Sequence, residues 1–383
     1  MCSLPEPDSI AAAHSDRLRA HICADIRSRG GWIPFSRYME QALYAPGLGY
    51  YAAGAEKFGA AGDFITAPEI SPLFAQSLVT QIAPLMRQSA PAILEAGPGS
   101  GKLAADLLLE LERSGALPDQ YGLLELSGDL HGRQRATLET RVPHLLGRVC
   151  WLDRLPERFS GVIIANELLD AMPVDLVAWQ DDRILERGVA INSQGEFEWE
   201  DRPAPEALLR AGVDVPVEPP YVSEIGRAAQ AWVAAWGSVL ERGAMLLIDY
   251  GFPSREYYHP QRASGTLMCH IRHHAHADPF FRPGLCDITS HVDFSAMANA
   301  GCDAGLDFLG YTSQGQFLMN CGITDLLSRV PSNDIARYAP LASSVQKLLS
   351  PAEMGELFKV LALGREVREP LIGFSRGDRG HTL

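Results

Sequence analysis

The chain has 383 residues, of which 46% are hydrophobic and 21% charged, so it can bury one large core or two smaller ones. Its net charge of −14 argues against general nucleic-acid binding, which needs clustered Lys and Arg to neutralise phosphates. No apolar run reaches the roughly 18 residues of a membrane helix, so we expect no membrane insertion.

The N-terminal part of the chain is predicted to be largely helical. Residues 18–29 carry apolar side chains at helical spacing and are followed by Gly30 and Gly31, which end a helix. Ser71 and Pro72 predict the start of another helix over residues 73–86, because proline suits the first helical turn.

Cysteine usage and the N-terminal residues bear on the cell compartment. The seven cysteines are odd in number and contain no C-x-x-C pair, which indicates reduced thiols in a cytosol-like compartment. Several acidic residues stand near the N-terminus, whereas mitochondrial presequences are poor in acids. We expect a bacterial cytoplasmic protein, or a protein of the mitochondrial matrix if the source is a eukaryote.

Residues 93–103 read Ile-Leu-Glu-Ala-Gly-Pro-Gly-Ser-Gly-Lys-Leu, which predicts a strand, a tight glycine turn and the start of a helix. A dinucleotide pattern, G-x-G-x-x-G, would need glycine where Lys102 stands. A P-loop would need glycine at Ala96 and a hydroxyl at Leu103. The E-x-G-x-G-x-G pattern of S-adenosylmethionine (SAM) methyltransferases fits at Glu95, Gly97, Gly99 and Gly101. A glycine loop without a ligand is the remaining alternative.

Three further apolar runs, at residues 121–126, 161–165 and 244–248, alternate with helical stretches and predict a parallel α/β sheet. Glu125 ends the second strand, where a carboxylate can accept bonds from ribose hydroxyls, although a plain surface glutamate is the alternative. Asp153 follows a predicted third strand and is a candidate for contact with the adenine amino group.

The remaining elements are predicted from alternation and turn residues. Residues 174–200 read as antiparallel strands, and residues 203–220, which hold several prolines, read as an exposed loop. A helix is predicted near residues 224–240. Residues 306–320 and 357–363 are predicted to form the antiparallel end of the sheet.

Seven segments carry a resemblance to a known family: residues 46–51, 62–74, 93–103, 166–170, 249–251, 287–294 and 358–361. On these segments the chain resembles the MidA family of SAM-dependent methyltransferases, whose mitochondrial relatives modify an arginine of a respiratory complex I subunit. The resemblance covers roughly residues 20–375. The segment at residues 62–74 is the most specific to this family.

The resemblance implies a Rossmann-like, seven-stranded methyltransferase sheet with SAM as cofactor. Residues 1–90 would form a helical region that closes over the cofactor. Residues 91–383 would form the methyltransferase domain, with insertions near 174–220 and 322–356. The cofactor contacts that it adds to the glycine turn, Glu125 and Asp153 are Gly62, Thr66, Glu69 and Asn166. For residues 62–74 the alternative is a helix cap and a turn around two prolines.

Arginine is a difficult nucleophile, because its pKa lies above about 12 and its lone pairs are delocalised. A site that methylates it should hold the cation with carboxylates and accept a proton. Glu167 and Asp170 follow a sheet strand and would share a face if the segment turned helically. We expect them to hold the acceptor guanidinium. The alternative is that Asp170 caps the turn before Pro173 and Glu167 contacts SAM.

Residues 270–276 hold four histidines, but their spacing matches no metal site and methyl transfer from SAM needs no metal. We expect no metal, and we expect this loop and His291, a candidate proton acceptor, to line the acceptor cleft. The predicted function is protein arginine N-methylation linked to complex I assembly, with a complex I subunit as partner and a homodimer as one oligomeric state. The alternatives are a small-molecule methyltransferase and a SAM-binding assembly factor without catalysis, with a dehydrogenase disfavoured by Lys102.

Overall fold

The computed structural model describes residues 4–52 and 66–383. The helices are α1 (Ser9–Ser28), α2 (Phe35–Tyr44), α3 (Ala67–Ile70), α4 (Pro72–Gln88), α5 (Lys102–Arg113), α6 (Gly128–Arg141), α7 (Glu206–Val213), α8 (Arg227–Val239), α9 (Ser254–Tyr257), α10 (Phe294–Asp303), α11 (Gln314–Asn320), α12 (Ile323–Ser328), α13 (Ile335–Leu349) and α14 (Met354–Leu357). The strands are β1 (Trp32–Pro34), β2 (Ala92–Ala96), β3 (Gln120–Leu124), β4 (Val149–Leu152), β5 (Phe159–Asn166), β6 (Asp175–Gln180), β7 (Arg183–Ile191), β8 (Phe197–Pro203), β9 (Tyr221–Ile225), β10 (Leu240–Phe252), β11 (Met268–Ile271), β12 (His274–His276), β13 (Asp287–Thr289), β14 (Val292–Asp293), β15 (Asp307–Ser313) and β16 (Phe358–Arg365).

The chain forms two compact units, and each is built from separate stretches of the sequence. The first unit comprises residues 1–64, 170–230 and 254–293. The second unit comprises residues 65–169, 231–253 and 294–383. The two units are defined by the contacts within each of them. The predicted boundary at residue 90 separates a region that closes over the cofactor from the methyltransferase domain, and it stays a prediction.

A mixed sheet forms the centre of the second unit, with its strands in the order β15-β16-β10-β5-β2-β3-β4. Strands β10, β5, β2, β3 and β4 are parallel, whereas β16 is antiparallel to both β10 and β15. The chain changes direction across the sheet between β2 and β5, which is where ligands bind in open α/β sheets. The predicted α/β class with a central, mainly parallel sheet is confirmed.

Helices cover this sheet and explain why its strands are almost continuously apolar. Helix α4 packs on β5 and β10, and α10 packs on β10, β15 and β16. Strands covered on both faces have no solvent side that would need polar residues. The predicted start of α4 is confirmed, since Ser71 Oγ accepts a hydrogen bond from the Leu73 N–H at 3.3 Å.

The first unit is antiparallel. Its larger sheet has the order β1-β7-β6-β9, with β8 paired to β7, which confirms the antiparallel strands predicted over residues 174–200. A second sheet has the order β12-β11-β13. The hydrophobic core of the first unit includes the buried residues Leu18, Ile22, Tyr38, Val189 and Cys269. Helices α1 and α2 therefore contribute apolar faces to this core.

Three sequence predictions about local structure were wrong. Residues 203–220 contain helix α7, because the prolines stand outside it and Leu208 is buried on its inner face. Residues 314–320 form helix α11 rather than strand, because Ser313 Oγ caps it by accepting from the Gln316 N–H. Residues 268–276 form the β11–β12 hairpin rather than a loop. The helix predicted near residues 224–240 is confirmed as α8, which begins just after strand β9.

The hydropathy of the helices and the state of the cysteines can be given for the described residues. None of the helices within residues 4–52 and 66–383 has both the length and the hydropathy of a membrane span. Each cysteine in these ranges is a free thiol, and most of them are buried.

Candidate functional site

The turn between β2 and α5 lies at the carboxyl edge of the second unit's sheet, and its glycines leave the main chain uncovered by side chains. Gly97, Gly99 and Gly101 have φ angles of 66°, 51° and 78°, which residues with a Cβ atom rarely adopt. The Gly97 N–H donates to the Leu124 carbonyl at 3.1 Å, which ties the turn to the end of β3. Beyond the turn, the first N–H groups of α5 lack helical acceptors and suit a negatively charged ligand group.

Lys102 distinguishes between the possible nucleotide sites. Its Nζ donates to Asp106 Oδ2 at 2.6 Å, one helical turn further along α5. Arg141 donates to the other oxygen of Asp106. Asp106 therefore holds the Lys102 side chain along α5, which agrees with the absence of a P-loop pattern.

The segment before α4 contributes a carboxylate to the turn. Glu69 Oε1 accepts a hydrogen bond from Ser100 Oγ at 2.6 Å, so the structure brings Glu69 to the glycine turn. Thr66 precedes α3, and its side chain makes no capping bond to that helix, in contrast to Ser71 at α4. The predicted cofactor contact Gly62 lies outside the described residues.

Glu125 follows β3 and is half-buried beside the turn. Burial raises the pKa of Glu125, while hydrogen bonds from the Ser127 backbone and the Gln134 side chain lower it. The adjacent Leu126 is 81% exposed, a large apolar side chain in water next to the predicted ribose contact. Asp153 is exposed beyond the end of β4, and its predicted role stays a prediction.

Asn166 and Glu167 stand at the carboxyl end of β5. The helical turn considered for this segment is not formed, because Glu167 has a left-handed φ of 51° and its N–H donates to the Ile248 carbonyl at 2.8 Å. Glu167 Oε1 accepts from the Ala67 N–H at 3.1 Å and from Asn166 Nδ2 at 3.2 Å. Asn166 Oδ1 is buried and has no hydrogen-bond partner among the described residues.

Sequence reasoning missed three side chains that organise this edge. Asp249 is 1% exposed, and its Oδ2 accepts from the Leu169 N–H at 2.9 Å, which fixes the segment after β5. Gln134 and Trp151 contact each other beside Glu125. Asp249 belonged to a family-like segment but had no predicted role, and a glutamine within a helix carries no local signal of function.

Two of the predicted catalytic residues belong to the first unit. The Ser290 N–H donates to the Asp170 carbonyl at 3.0 Å, and the His291 N–H donates to Thr266 Oγ1 at 3.0 Å. Asp170 therefore lies close to the segment that holds His291. Glu224, 1% exposed, accepts from both the N–H and the hydroxyl of Thr266, so a buried carboxylate fixes the residue that holds His291.

The histidines of residues 270–276 lie on the β11–β12 hairpin of the first unit. Burial lowers the pKa of His276, which disfavours its charged form. Within residues 4–52 and 66–383, no His, Cys, Asp and Glu side chains are grouped as a metal site requires.

Glu95 is a buried carboxyl group in the strand that leads into the glycine turn. It is 2% exposed and accepts a hydrogen bond from the Tyr121 hydroxyl at 2.6 Å. Burial raises the pKa of Glu95 to about 8, and the bond from Tyr121 offsets only part of this effect. The neutral acid is therefore the main form at neutral pH.

This buried acid predicts that the protein loses stability as the pH rises. The folded state holds a proton on Glu95 that the unfolded chain releases above its ordinary pKa of 4.5. The stabilisation is thus complete below pH 4.5 and is lost as the pH passes about 8. The unfolding free energy should fall by roughly 2–5 kcal/mol across this window. Urea unfolding at a series of pH values should show a flatter dependence for Glu95→Gln, and parallel curves for variant and wild type would contradict the prediction.

Comparison with known proteins agrees with the geometry of this edge. A family described as S-adenosyl-L-methionine-dependent methyltransferases matches residues 73–312. A crystal structure from Burkholderia thailandensis, bound to S-adenosyl-homocysteine, is 53% identical, covers 100% of both chains and has a TM-score of 0.97. The protein arginine methyltransferase NDUFAF7 of Danio rerio is 29% identical over 90% of this chain and 86% of its own length. Its Drosophila melanogaster homologue is 28% identical over 97% of this chain and 91% of its own. Both of these relatives are named as mitochondrial. The chain belongs to this family of SAM-dependent methyltransferases.

Proposed function

We propose that this enzyme transfers the methyl group of SAM to a side-chain nitrogen of arginine in a protein acceptor. The observation that carries the proposal is the Glu167 carboxylate, which stands beside Asn166 at the carboxyl edge of the sheet that also bears the glycine turn. The relatives from Danio rerio and Drosophila melanogaster, matched over most of their length, are named protein arginine methyltransferases, which supports this acceptor.

The cofactor would be held along the edge formed by β2, β3 and β5. The glycine turn and the α5 N-terminus suit the carboxylate of the methionine part, and Glu125 suits the ribose hydroxyls. Asn166 Oδ1, a buried acceptor with no partner among the described residues, suits an N–H group of the cofactor. The full set that we assign to cofactor binding is Gly62, Thr66, Glu69, Glu95, Gly97, Gly99, Gly101, Glu125, Asp153 and Asn166.

To methylate an arginine, the protein must hold the positively charged guanidinium and orient one of its nitrogens. The sulfonium of SAM supplies an activated methyl group, so the side chains need only orient a nitrogen and accept the proton that it releases. We assign Glu167 and Asp170 to hold the guanidinium by charge-assisted hydrogen bonds and His291 to accept the proton. Carboxylates on a guanidinium also restrict which of its nitrogens can reach the methyl group.

Three finer parts of the proposal rest on less: the MidA resemblance supports the first and the last, and the cysteine usage and acidic N-terminal residues support the second. They are a complex I subunit as the acceptor, the bacterial cytoplasm as the location, and a homodimer. Sedimentation of the purified protein would test the last of these, and a single monomeric species at working concentration would contradict it.

The experiment that tests the function supplies radiolabelled SAM and a cell extract from a source strain that lacks the gene. We expect label in protein, and methylarginine after acid hydrolysis. A Gly99→Val enzyme serves as the inactive control. Label found only in dialysable compounds would contradict a protein acceptor. Cofactor binding without any transfer would contradict catalysis.

A further inference from the structure

Gln134 is a fully buried polar residue of α6, and each polar group of its side chain is used. Its Nε2 donates to the Gly99 carbonyl and to Glu125 Oε2, both at 3.2 Å. Its Oε1 accepts from Trp151 Nε1 at 3.1 Å. One side chain therefore joins the glycine turn, the residue after β3 and strand β4.

These three partners fix which way round the amide stands. An indole N–H can only donate, so it must face the amide oxygen. A carbonyl and a carboxylate can only accept, so they must face the amide nitrogen. Glutamate has no N–H donor and methionine has neither donor nor strong acceptor, so no other side chain of this length satisfies all three partners.

The backbone of Gln134 also shapes the turn. A Cβ atom on Gly101 would lie 3.1 Å from Gln134 Cα, which is closer than nine in ten Cβ contacts in real proteins. Helix α6 therefore packs directly against the last glycine of the turn. The position of Gln134 and the course of the turn depend on each other.

Glu125 is left with free acceptor capacity by this arrangement. Its Oε1 accepts from the Ser127 N–H at 2.8 Å and its Oε2 accepts from Gln134. The Leu126 backbone also donates to this carboxylate, and a carboxylate has about four lone-pair sites, so acceptor capacity remains for a ribose hydroxyl. Near the same group, the His131 ring lies 2.9 Å from the Glu125 carbonyl oxygen.

We infer that Gln134 is a positioning residue of the cofactor site, which holds the Gly99 carbonyl, the Glu125 carboxylate and the Trp151 indole in the one arrangement that SAM binding requires. The inference rests on the proposed ribose contact of Glu125. The hydrogen bond from Gln134 lowers the pKa of Glu125, whereas burial raises it. Losing this hydrogen bond would therefore raise the pKa of Glu125 and disfavour its ionised form.

The test is calorimetric titration with S-adenosylhomocysteine from about pH 5 to about pH 7.5, above the ordinary pKa of a carboxyl group and below the pKa of about 8 that burial gives Glu95. For the wild type, affinity should rise as Glu125 ionises, with a midpoint above its ordinary 4.5. Gln134→Met should bind at least about tenfold more weakly at neutral pH, since it loses three hydrogen bonds, and its midpoint should move to higher pH.

A matched control separates positioning from general stability. Gln81 is 1% exposed in α4, and its Oε1 accepts from the Gly373 N–H at 2.9 Å. Gln81→Met removes a buried amide of the same kind, so it should lower stability while affinity and midpoint stay as in the wild type. If Gln81→Met shifted the midpoint as Gln134→Met does, the positioning role would be contradicted.

A second variant keeps the test decisive if Gln134→Met does not fold. Gln134→Glu preserves size and an acceptor for Trp151, and it sets a second carboxylate next to Glu125, so the midpoint should move up further. Wild-type affinity and midpoint in a folded Gln134 variant would overturn the inference. Normal affinity in Glu125→Gln would instead contradict the proposed ribose contact, and the weaker binding of Gln134→Met would then act through Gly99.

Discussion

Replacing Gly99 with valine is expected to abolish cofactor binding, with affinity for S-adenosylhomocysteine reduced by about 100-fold or more. Gly99 has a φ of 51°, a conformation that is a true outlier for a β-branched residue. The strain costs about 1–3 kcal/mol, and the turn relieves it only by moving. Such a movement displaces the carbonyl that Gln134 holds, and the added side chain occupies the surface to which the ligand must come close.

The control for this prediction is Gly115→Val at the other end of α5. Gly115 has a φ of 68°, and a Cβ atom there would have nothing within 4 Å. The two variants therefore introduce similar backbone strain, one within the turn and one in open space. We expect similar losses of thermal stability, measured by unfolding, and normal cofactor affinity only in Gly115→Val. Equal affinities in the two variants would remove the glycine turn from the cofactor site.

Glu167→Gln is expected to lower the rate of methyl transfer by about 100-fold while cofactor affinity stays normal. The neutral amide loses the charge that would hold a guanidinium, and a reactant misplaced by about 1 Å can cost about 10²-fold in rate. The fold should survive, because a glutamine oxygen can still accept from the Ala67 N–H and Asn166 Nδ2. Turnover of radiolabelled SAM and titration with S-adenosylhomocysteine measure the two effects separately.

The outcome decides between the two roles that the sequence left open for Glu167. Reduced turnover with normal affinity supports the acceptor role, whereas reduced affinity would assign Glu167 to the cofactor, and normal turnover would remove both roles. Glu110→Gln on α5 is the control, because Glu110 is also buried but is paired with Arg113. It should leave turnover and affinity unchanged.

Local patterns predicted most of the second unit. The run of apolar residues into Glu95, the alternating glycines and the helix after them follow from backbone geometry, and all three are present. Helix α11 was missed because its N-cap, Ser313, is also the last residue of β15, so that no turn segment separates the strand from the helix. The helical turn considered for residues 167–170 is not formed, because the chain takes a left-handed turn at Glu167 that is stabilised by the distant Ile248 carbonyl.

The sequence by itself determined the cofactor class. The spacing of the glycines within residues 93–103 dictates where the main chain is exposed to a ligand and that the N-terminus of the following helix faces it. The sequence also determined the order of strands and helices that places Glu125 and Asn166 at strand ends. Only the tertiary structure decided that Gln134 meets Gly99 and Trp151, and that Glu95 is buried against Tyr121 and therefore neutral. These contacts join residues that are far apart in the chain, and the pKa of a carboxyl group depends on the solvent it loses, which no local pattern records.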